Sequence, residues 1–360
     1  MTTDLTGGID PARELTFETR PDDPEMRDSV SFWVFDDRGE LGLPRIGIEA
    51  VASNWEHHGI QVNAAFSDGR VFRLREDAPS VAVTGADGLP RVLGAGPLTF
   101  TCVREFDTWR VAFDGAAVAT SSADLVAGRK DGPLVPLQFD VEATLAVPPW
   151  VQGALQPDAA SSLSTSITGD LMGGPRYEQL FRATGTLTVD GAAHPFAGSG
   201  LRIRRQGVRK LEGFWGHCWQ SALFPSGRAF GYIAYPPRPD GQPTFNEGYV
   251  YAGTGALIPA RVVDAPWLRR LQPLSEDVSV VLEIADGQIH IDGQTVLSTH
   301  DITDPATVPA EQLAKLANWT FPALQQAGVR YTWDGETTYG MLERSIPADQ
   351  LEDRTWQYGQ

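Results

Sequence analysis

Cysteine is scarce in this 360-residue chain: Cys102 and Cys218 are the only two, and they lie far apart. Two residues cannot form a disulfide framework, and no Cys-x-x-Cys pair or Cys/His cluster offers the ligands of a structural zinc site. We therefore expect a reducing compartment and no metal. The chain also has no basic segment followed by an apolar one near Met1, and no apolar run of membrane-spanning length. These absences predict a cytoplasmic protein without integral membrane association.

Sequence motifs for nucleotide and acyl chemistry are also missing. There is no Gly-x-Gly-x-x-Gly, no P-loop and no Gly-x-Ser-x-Gly, so dinucleotide binding, phosphate binding and the usual serine hydrolases are disfavoured. Positive charge is in deficit, because 29 Lys and Arg stand against 46 Asp and Glu, for a net charge of −17. Such a surface repels phosphate groups, so we expect no nucleic acid partner. Nothing in the sequence indicates a cofactor.

Glycine and proline, in contrast, are abundant, with 37 and 26 residues. This composition favours many strands and turns over long helices. Short strand-like runs are separated repeatedly by Asp-Gly or Ser-Gly pairs, which favour tight hairpins. The pattern predicts an all-β protein with meander topology, in which sequential strands pair antiparallel. The predicted turns lie around residues 67–70, 114–115, 190–191, 226–227, 286–287 and 334–335.

The same pattern suggests how the chain divides. Residues 1–28 are polar and rich in Pro, and they predict an irregular arm. Two successive β units of similar size then follow, over 29–175 and 176–360. A small, polar, Gly-rich stretch precedes the division. We expect one or two short helices near the C-terminus. The best helical pattern lies at 309–318 and begins with proline.

The most informative stretch is Gly213-Phe-Trp-Gly-His-Cys-Trp-Gln220. In an extended strand, Trp215, His217 and Trp219 share one face. One imidazole between two indoles is typical of an apolar pocket with a single titratable group. The alternative interpretation is a half-buried histidine that hydrogen-bonds to the backbone, and aromatic residues are more often core than site.

A second aromatic stretch contains a carboxylate. On one strand Phe245, Glu247 and Tyr249 share a face. A carboxylate is costly to bury in its ionised form, so we expect the pKa of this one to rise, which would make it a proton donor. Upstream, Tyr177 and Gln179 begin another strand and are candidates to orient a substrate oxygen or a water.

At these positions the chain resembles a known family. Gly198-Ser-Gly-Leu-Arg202 followed by Gly216-His-Cys-Trp219 is similar to a motif of tandem lipocalin-like proteins, which include the carotenoid 1,2-hydratases, AttH-like proteins, tocopherol cyclase and fungal lipocalin-like Diels–Alderases. The resemblance implies two calycin-type β-barrels or strongly curved sheets, with ligand cavities formed by their interiors.

The resemblance also implies roles for particular residues. In the hydratases, a His-x-Trp pair and a later Tyr-x-Asp pair are implicated in protonating an alkene and directing water. His217 and Trp219 match the first pair, and Phe245 and Glu247 stand where the second is expected. This chain carries Gly216 where many relatives carry Asp, so any acid chemistry must use His217 or Glu247.

Three hypotheses follow from the sequence. The first is a cofactor-independent enzyme for a hydrophobic terpenoid, steroid or polyketide-like substrate, acting by hydration or dehydration, isomerisation or cyclisation. In it His217 and Glu247 are catalytic, and Tyr177, Gln179, Trp215, Trp219, Phe245 and Tyr249 bind the substrate. The second is a non-catalytic carrier of an apolar ligand. The third is a scaffold in which the aromatic residues only fill a junction. The sequence does not predict the oligomeric state.

Overall fold

The computed structural model describes residues 4–156, 158, 176–208, 216–237, 244–302 and 322–352. The predicted helix at 309–318 and the predicted site residue Trp215 lie outside these ranges. Within them, the all-β prediction is confirmed. The chain forms one large antiparallel sheet, followed by a closed eight-stranded barrel.

The large sheet comprises eleven strands: β1 (Met26–Asp36), β2 (Leu41–Val51), β3 (His57–Phe66), β4 (Arg70–Pro79), β5 (Val92–Ala95), β6 (Leu98–Arg104), β7 (Thr108–Ser121), β8 (Leu134–Leu145), β9 (Trp150–Val151), β10 (Arg176–Val189) and β11 (Ala192–Val208). Their order is β4-β3-β2-β1-β11-β10-β8-β7-β6-β5, with β9 beside β10. Strand β4 also pairs with β7, which joins the two ends of the eight-stranded segment from β4 to β7 in this order. The sheet therefore curls strongly around its own core.

The barrel comprises β12 (His217–Leu223), β13 (Ala229–Ala234), β14 (Asn246–Tyr251), β15 (Ile258–Asp264), β16 (Val280–Ile284), β17 (Gly287–Ile302), β18 (Pro322–Trp333) and β19 (Glu336–Pro347). Sequential strands pair antiparallel, and β12 also pairs with β19, which closes the ring. Helical structure in the described residues is limited to α1 (Ser122–Val126) and three 3-10 helices, Pro11–Glu14, Ala52–Asn54 and Ala348–Gln350.

The structure moves the boundary between the two units. Strands β10 and β11, which the sequence analysis assigned to the second unit, pair in the first sheet, between β8 and β1. The chain therefore passes from sheet to barrel between Val208 and His217. Most of the Gly-rich stretch that suggested an earlier division lies outside the described residues. The arm is also less peripheral than expected, because Glu14 is fully buried.

Most of the predicted hairpins are confirmed. The pairs Asp190–Gly191 and Asp334–Gly335 both have the positive φ angles that a tight two-residue turn requires, and they join β10 to β11 and β18 to β19. The predicted turn at Asp114–Gly115 is wrong, because β7 runs straight through it. Gly115 pairs with Leu137 of β8, and this ladder overrides the local turn preference.

The described residues form three large apolar clusters and a small fourth one around Leu268 and Leu351. One occupies the inside of the curled sheet, and another, which includes Cys218 and Tyr232, occupies the inside of the barrel. The third joins the two units and contains Trp33 and Leu201 from the sheet and Trp219 from the barrel. Alternation along β12 therefore directs Cys218 into the barrel and Trp219 outward, against the first sheet.

Candidate functional site

A cavity of about 630 Å³ lies between the curled sheet and the outside of the barrel. On the sheet side, small residues on three neighbouring strands make room for the cavity. Ser31 of β1 pairs with Gly47 of β2, and Gly59 of β3 lies further along the same face. The barrel contributes His217, Trp219, Ile233, Tyr235, Leu324, Glu343 and Ser345. His217 thus lines a cavity, as expected, but the expectation that this cavity is a barrel interior is wrong, because β12 directs His217 outward.

His217 is held on both sides by residues of β19. Its Nε2 is 3.3 Å from Oε1 of Glu343, and its Nδ1 is 2.7 Å from Oγ of Ser345. The register explains this arrangement, because His217 pairs directly with Ser345, and Glu343 lies two residues earlier on the same face. His217 is 7% exposed, at the wall of the cavity. A carboxylate, an imidazole and a hydroxyl therefore form one connected group beside the cavity.

Gly216 precedes this group and has a φ of +126°. A Cβ atom at this position would lie 2.6 Å from the carbonyl oxygen of Ser345. The close approach of the two strands therefore leaves no room for a side chain at position 216. The carboxylate beside His217 comes instead from Glu343, on the last strand of the barrel.

Glu343 is buried, yet its surroundings favour the charged form. Burial opposes ionisation, but the positive charge of Arg45 and hydrogen bonds from His217 and Gln326 outweigh it, and they lower the pKa of Glu343 to about 2. Arg45 belongs to the first sheet, and its Nη1 is 3.4 Å from both carboxylate oxygens. Arg45 has a φ of +78°, unusual for a residue with a side chain, where the pairing of β2 is irregular. This bulge directs the guanidinium across the boundary between the units.

Trp219 forms the aromatic wall of the cavity. Its Nε1 donates to Oε2 of Glu178 at 3.1 Å, its ring meets Trp33 edge-on at 4.8 Å, and the guanidinium of Arg176 lies 4.7 Å from the ring centroid. Burial raises the pKa of Glu178, although Arg176 and Trp219 both donate to it. Trp219 is therefore fixed on three sides.

Tyr177 and Gln179 lie on the opposite face of β10 from Arg176 and Glu178. The Tyr177 hydroxyl donates to Oε1 of Glu14 at 2.5 Å, and Gln179 donates to the carbonyl of Leu5 at 2.9 Å. Both side chains therefore contact the N-terminal arm inside the first unit, and neither lines the cavity with His217. Because successive side chains of a strand point to opposite faces, Tyr177 and Gln179 face away from the expected site.

Glu247 is also separate from the cavity. Its Oε2 accepts from Trp150 Nε1 at 2.9 Å and Gly153 N at 2.6 Å, and its Oε1 accepts from Leu155 N at 2.9 Å and Gln156 N at 3.0 Å. Four N–H donors match the acceptor capacity of a carboxylate. The structure therefore gives Glu247 the role of an anchor for the segment after β9, and this geometry does not support a proton donor.

The other expected binding residues are buried around Glu247. Phe245 packs against Tyr235, with ring centroids 5.6 Å apart, and Tyr249 meets Trp150 edge-on at 5.6 Å. They belong to the apolar cluster between the two units, beside the cavity but not on its wall. Of the predicted site residues within the described part of the chain, only His217 and Trp219 come together at the cavity.

The residues that sequence reasoning missed are Glu343, Ser345, Arg45, Arg176 and Glu178. The sequence does indicate Glu343 and Ser345, because an up-and-down barrel closes by pairing its first and last strands, and the final hairpin therefore supplies partners for His217. Nothing in the sequence indicates Arg45, because the direction of its side chain depends on a β-bulge.

The described residues contain neither a cluster of metal ligands nor a membrane-spanning helix. Among the residues that the structure describes, no three His, Cys, Asp or Glu side chains converge as metal ligands would. No helix within those same ranges has the length and apolar character needed to cross a lipid bilayer.

Solved structures share this architecture. An AttH-like protein of Nitrosomonas europaea matches with a TM-score of 0.54 and 14% identity, over 93% of this chain and 99% of that one. CghA, solved with Sch210972, matches with a TM-score of 0.54 and 14% identity, over 90% of this chain and 89% of CghA. Kievitone hydratase from Nectria haematococca gives a lower TM-score of 0.46, at 12% identity over 96% of each chain.

At these identities the likeness shows the fold alone, which is the tandem lipocalin-like fold that the sequence resemblance implied. No curated protein matches the chain by sequence. One family model, described as a domain of unknown function (DUF7064), matches residues 10–348. Because this match spans nearly the whole chain, the protein belongs to the DUF7064 family.

Proposed function

We propose that this protein is an enzyme that binds a largely apolar small molecule in the cavity between its two units and transfers a proton on it. The observation that carries the proposal is the His217–Glu343 pair, an imidazole 3.3 Å from a buried carboxylate at the wall of that cavity. A carboxylate that stays ionised stabilises an imidazolium, which is the form that a histidine base reaches when it accepts a proton.

The dimensions and lining of the cavity support a small-molecule ligand. Its volume of about 630 Å³ lies within the range of about 300–1,000 Å³ that is typical of ligand pockets. Ile203, Trp219, Ile233 and Leu324 supply apolar surface, and the wall also carries charged and polar side chains that include Arg45, Arg75, Arg176, Arg205 and His217. A terpenoid, steroid or polyketide-like molecule that carries polar groups suits this mixed lining.

Proton transfer at one histidine is compatible with several reactions. Hydration or dehydration of an alkene, isomerisation of a double bond and cyclisation all begin with a proton gained or lost. CghA, whose structure shares this fold, is solved with Sch210972, so that compound and its chemical relatives are the first candidates to test as ligands. In this proposal the reaction uses no cofactor.

A second candidate function is that of a carrier without chemistry. The observation that favours it is that both ring nitrogens of His217 already have partners within the protein, Glu343 and Ser345. A ring held in this way can shape a pocket without exchanging protons.

Gly59 offers a test of both candidates, because a Cβ there would make only ordinary contacts, 3.5 Å or more from its neighbours. Gly59→Leu should therefore fill the cavity with little strain, and Gly59→Ala should fill it much less. Small molecules extracted from the purified wild-type protein are identified by mass spectrometry. We expect Gly59→Leu to lose the bound molecule and Gly59→Ala to keep more of it.

The identified molecule, or the members of a terpenoid, steroid and polyketide panel that bind, is then incubated with the protein in deuterium oxide. The enzyme proposal predicts incorporation of deuterium or a new product with the wild type, and neither with His217→Gln. Equal turnover in the two proteins would refute a role for His217. Tight binding without exchange or product in either would establish the carrier.

A further inference from the structure

Ser345 holds a particular position in the site. It lies on β19 directly opposite His217, its Oγ is 2.7 Å from Nδ1, and it lines the cavity. Glu343 occupies the other side of the same ring. The three side chains form a continuous chain from a buried carboxylate, through an imidazole, to a hydroxyl at the cavity.

The positions of the hydrogen atoms follow from the state of Glu343. Its carboxylate is ionised, because the Arg45 guanidinium lies 3.4 Å from both of its oxygens and Gln326 donates to Oε2 at 2.7 Å. An ionised carboxylate only accepts hydrogen bonds, so the hydrogen of a neutral His217 ring lies on Nε2. Nδ1 is then an acceptor, and the O–H of Ser345 must donate to it.

This arrangement limits how a bound molecule can reach the imidazole. Nε2 faces Glu343 and Nδ1 faces Ser345, so each nitrogen is covered by a protein group. The Oγ of Ser345 differs, because a hydroxyl that donates its one hydrogen keeps lone pairs for a second partner. The cavity-facing atom that can exchange a proton with the ring is therefore the serine oxygen.

We propose that Ser345 is the catalytic residue that meets the substrate and relays its proton to His217. In the forward step, the Ser345 O–H proton passes to Nδ1 while a substrate C–H or O–H proton passes to Oγ. The substrate loses one proton, the ring gains one, the serine ends unchanged, and Glu343 stabilises the imidazolium. Protonation of a substrate is the same step in reverse. The inference rests on the proposed function, which it deepens.

The relay can be tested without the natural substrate by means of 5-nitrobenzisoxazole, a small apolar probe of bases in pockets. Removal of its ring C–H proton breaks the N–O bond and releases a coloured cyanonitrophenolate, so the base gains one proton and no other reactant is needed. We expect the wild type to accelerate this elimination above buffer. Ser345→Ala should lower kcat/KM at least about tenfold, because general acid–base catalysis typically contributes about 10²–10⁴-fold. Ser345→Thr, which keeps the hydroxyl, should retain most of the rate.

Ser199 provides the matched control, because it is another buried serine, which donates to the carbonyl of Tyr339 at 3.2 Å and does not line the cavity. We expect Ser199→Ala to keep the wild-type rate. A Ser345→Ala rate equal to or above the wild type, with His217→Gln inactive, would overturn the relay but leave His217 as a base. Equal rates in wild type, His217→Gln and buffer would instead overturn the proposed function.

The tautomer of His217 gives an independent test that needs no variant. Nitrogen-15 NMR of the labelled imidazole in the wild-type protein should show hydrogen on Nε2 and an acceptor at Nδ1. Hydrogen on Nδ1 of the neutral ring would mean that His217 donates to Ser345, and the relay would then be wrong. This measurement decides the question even if Ser345→Ala fails to fold.

Discussion

Glu247 gives the sharpest prediction, because two opposite roles can be assigned to it. The aromatic stripe in the sequence suggests a proton donor, whereas the structure shows a buried carboxylate with four N–H donors. We consider the change Glu247→Gln, which keeps the shape of the side chain. One of the two oxygens becomes an NH₂ group, which cannot accept a hydrogen bond.

The magnitude follows from the contacts. Each oxygen of Glu247 accepts from two N–H donors. In either orientation of the new amide, its NH₂ group therefore faces two N–H groups that have lost their acceptor. Hydrogen bonds to charged groups contribute about 1.5–3 kcal/mol each, so the loss is about 3–6 kcal/mol. Total stabilities of folded proteins are about 5–15 kcal/mol, so the variant should be severely destabilised.

Equilibrium unfolding in urea, followed by tryptophan fluorescence, measures this difference. Glu283→Gln is the matched control, since Glu283 is an exposed carboxylate on β16, and exposed substitutions usually change stability by less than about 0.5 kcal/mol. The anchor role predicts a large drop for Glu247→Gln alone. A change below about 1 kcal/mol, combined with loss of turnover, would refute our reasoning and restore Glu247 as a catalytic acid.

Three further predictions concern other residues. Gly216→Ala should cost about 1–3 kcal/mol, because it combines a φ of +126° with a contact of 2.6 Å to the Ser345 carbonyl oxygen; an unchanged melting temperature would contradict this. Burial, together with Arg344 and Arg73, lowers the pKa of His300 from 6.5 to about 3. The unfolded chain binds a proton there below pH 6.5 and the folded one does not, so stability should fall between pH 6.5 and pH 3, by at most about 1.4 kcal/mol per pH unit. Urea midpoints measured across that interval should vary less in His300→Gln, and equal slopes would refute the assignment. Tyr177→Phe should lower stability by about 1–3 kcal/mol, because it removes the hydroxyl that donates to Glu14, and ligand binding in the cavity, measured by calorimetry, should not change.

Much of the fold is encoded locally and could be predicted. Turn pairs such as Asp190–Gly191 require φ angles that only a few residues adopt, so the sequence marks the hairpins directly. The failure at Asp114–Gly115 shows the limit of this reasoning, because pairing with β8 fixes that backbone and the local preference yields. The boundary between the units was misplaced for a related reason. Pairing of β11 with β1 joins residues far apart in sequence, and no local pattern records it.

The site was predictable only in part. Alternation placed His217 and Trp219 on one face correctly, but it did not show which side of the strand lies inside the barrel. On β10 the same rule separates Tyr177 from Glu178, and the predicted residues Tyr177 and Gln179 do not line the cavity. Arg45 lies 298 residues from Glu343 and reaches it across the boundary between the units. Such long-range electrostatic partners follow from tertiary structure.

The placement of the cavity has a thermodynamic consequence. Its walls come from two units that each have their own core, so neither unit alone forms a complete binding surface. A ligand that binds only when the units are docked must stabilise their docking by the free energy of its own binding. Under the proposed function, occupancy of the cavity and association of the two halves are therefore linked, and we expect a substitution at their boundary to change affinity without touching the ligand.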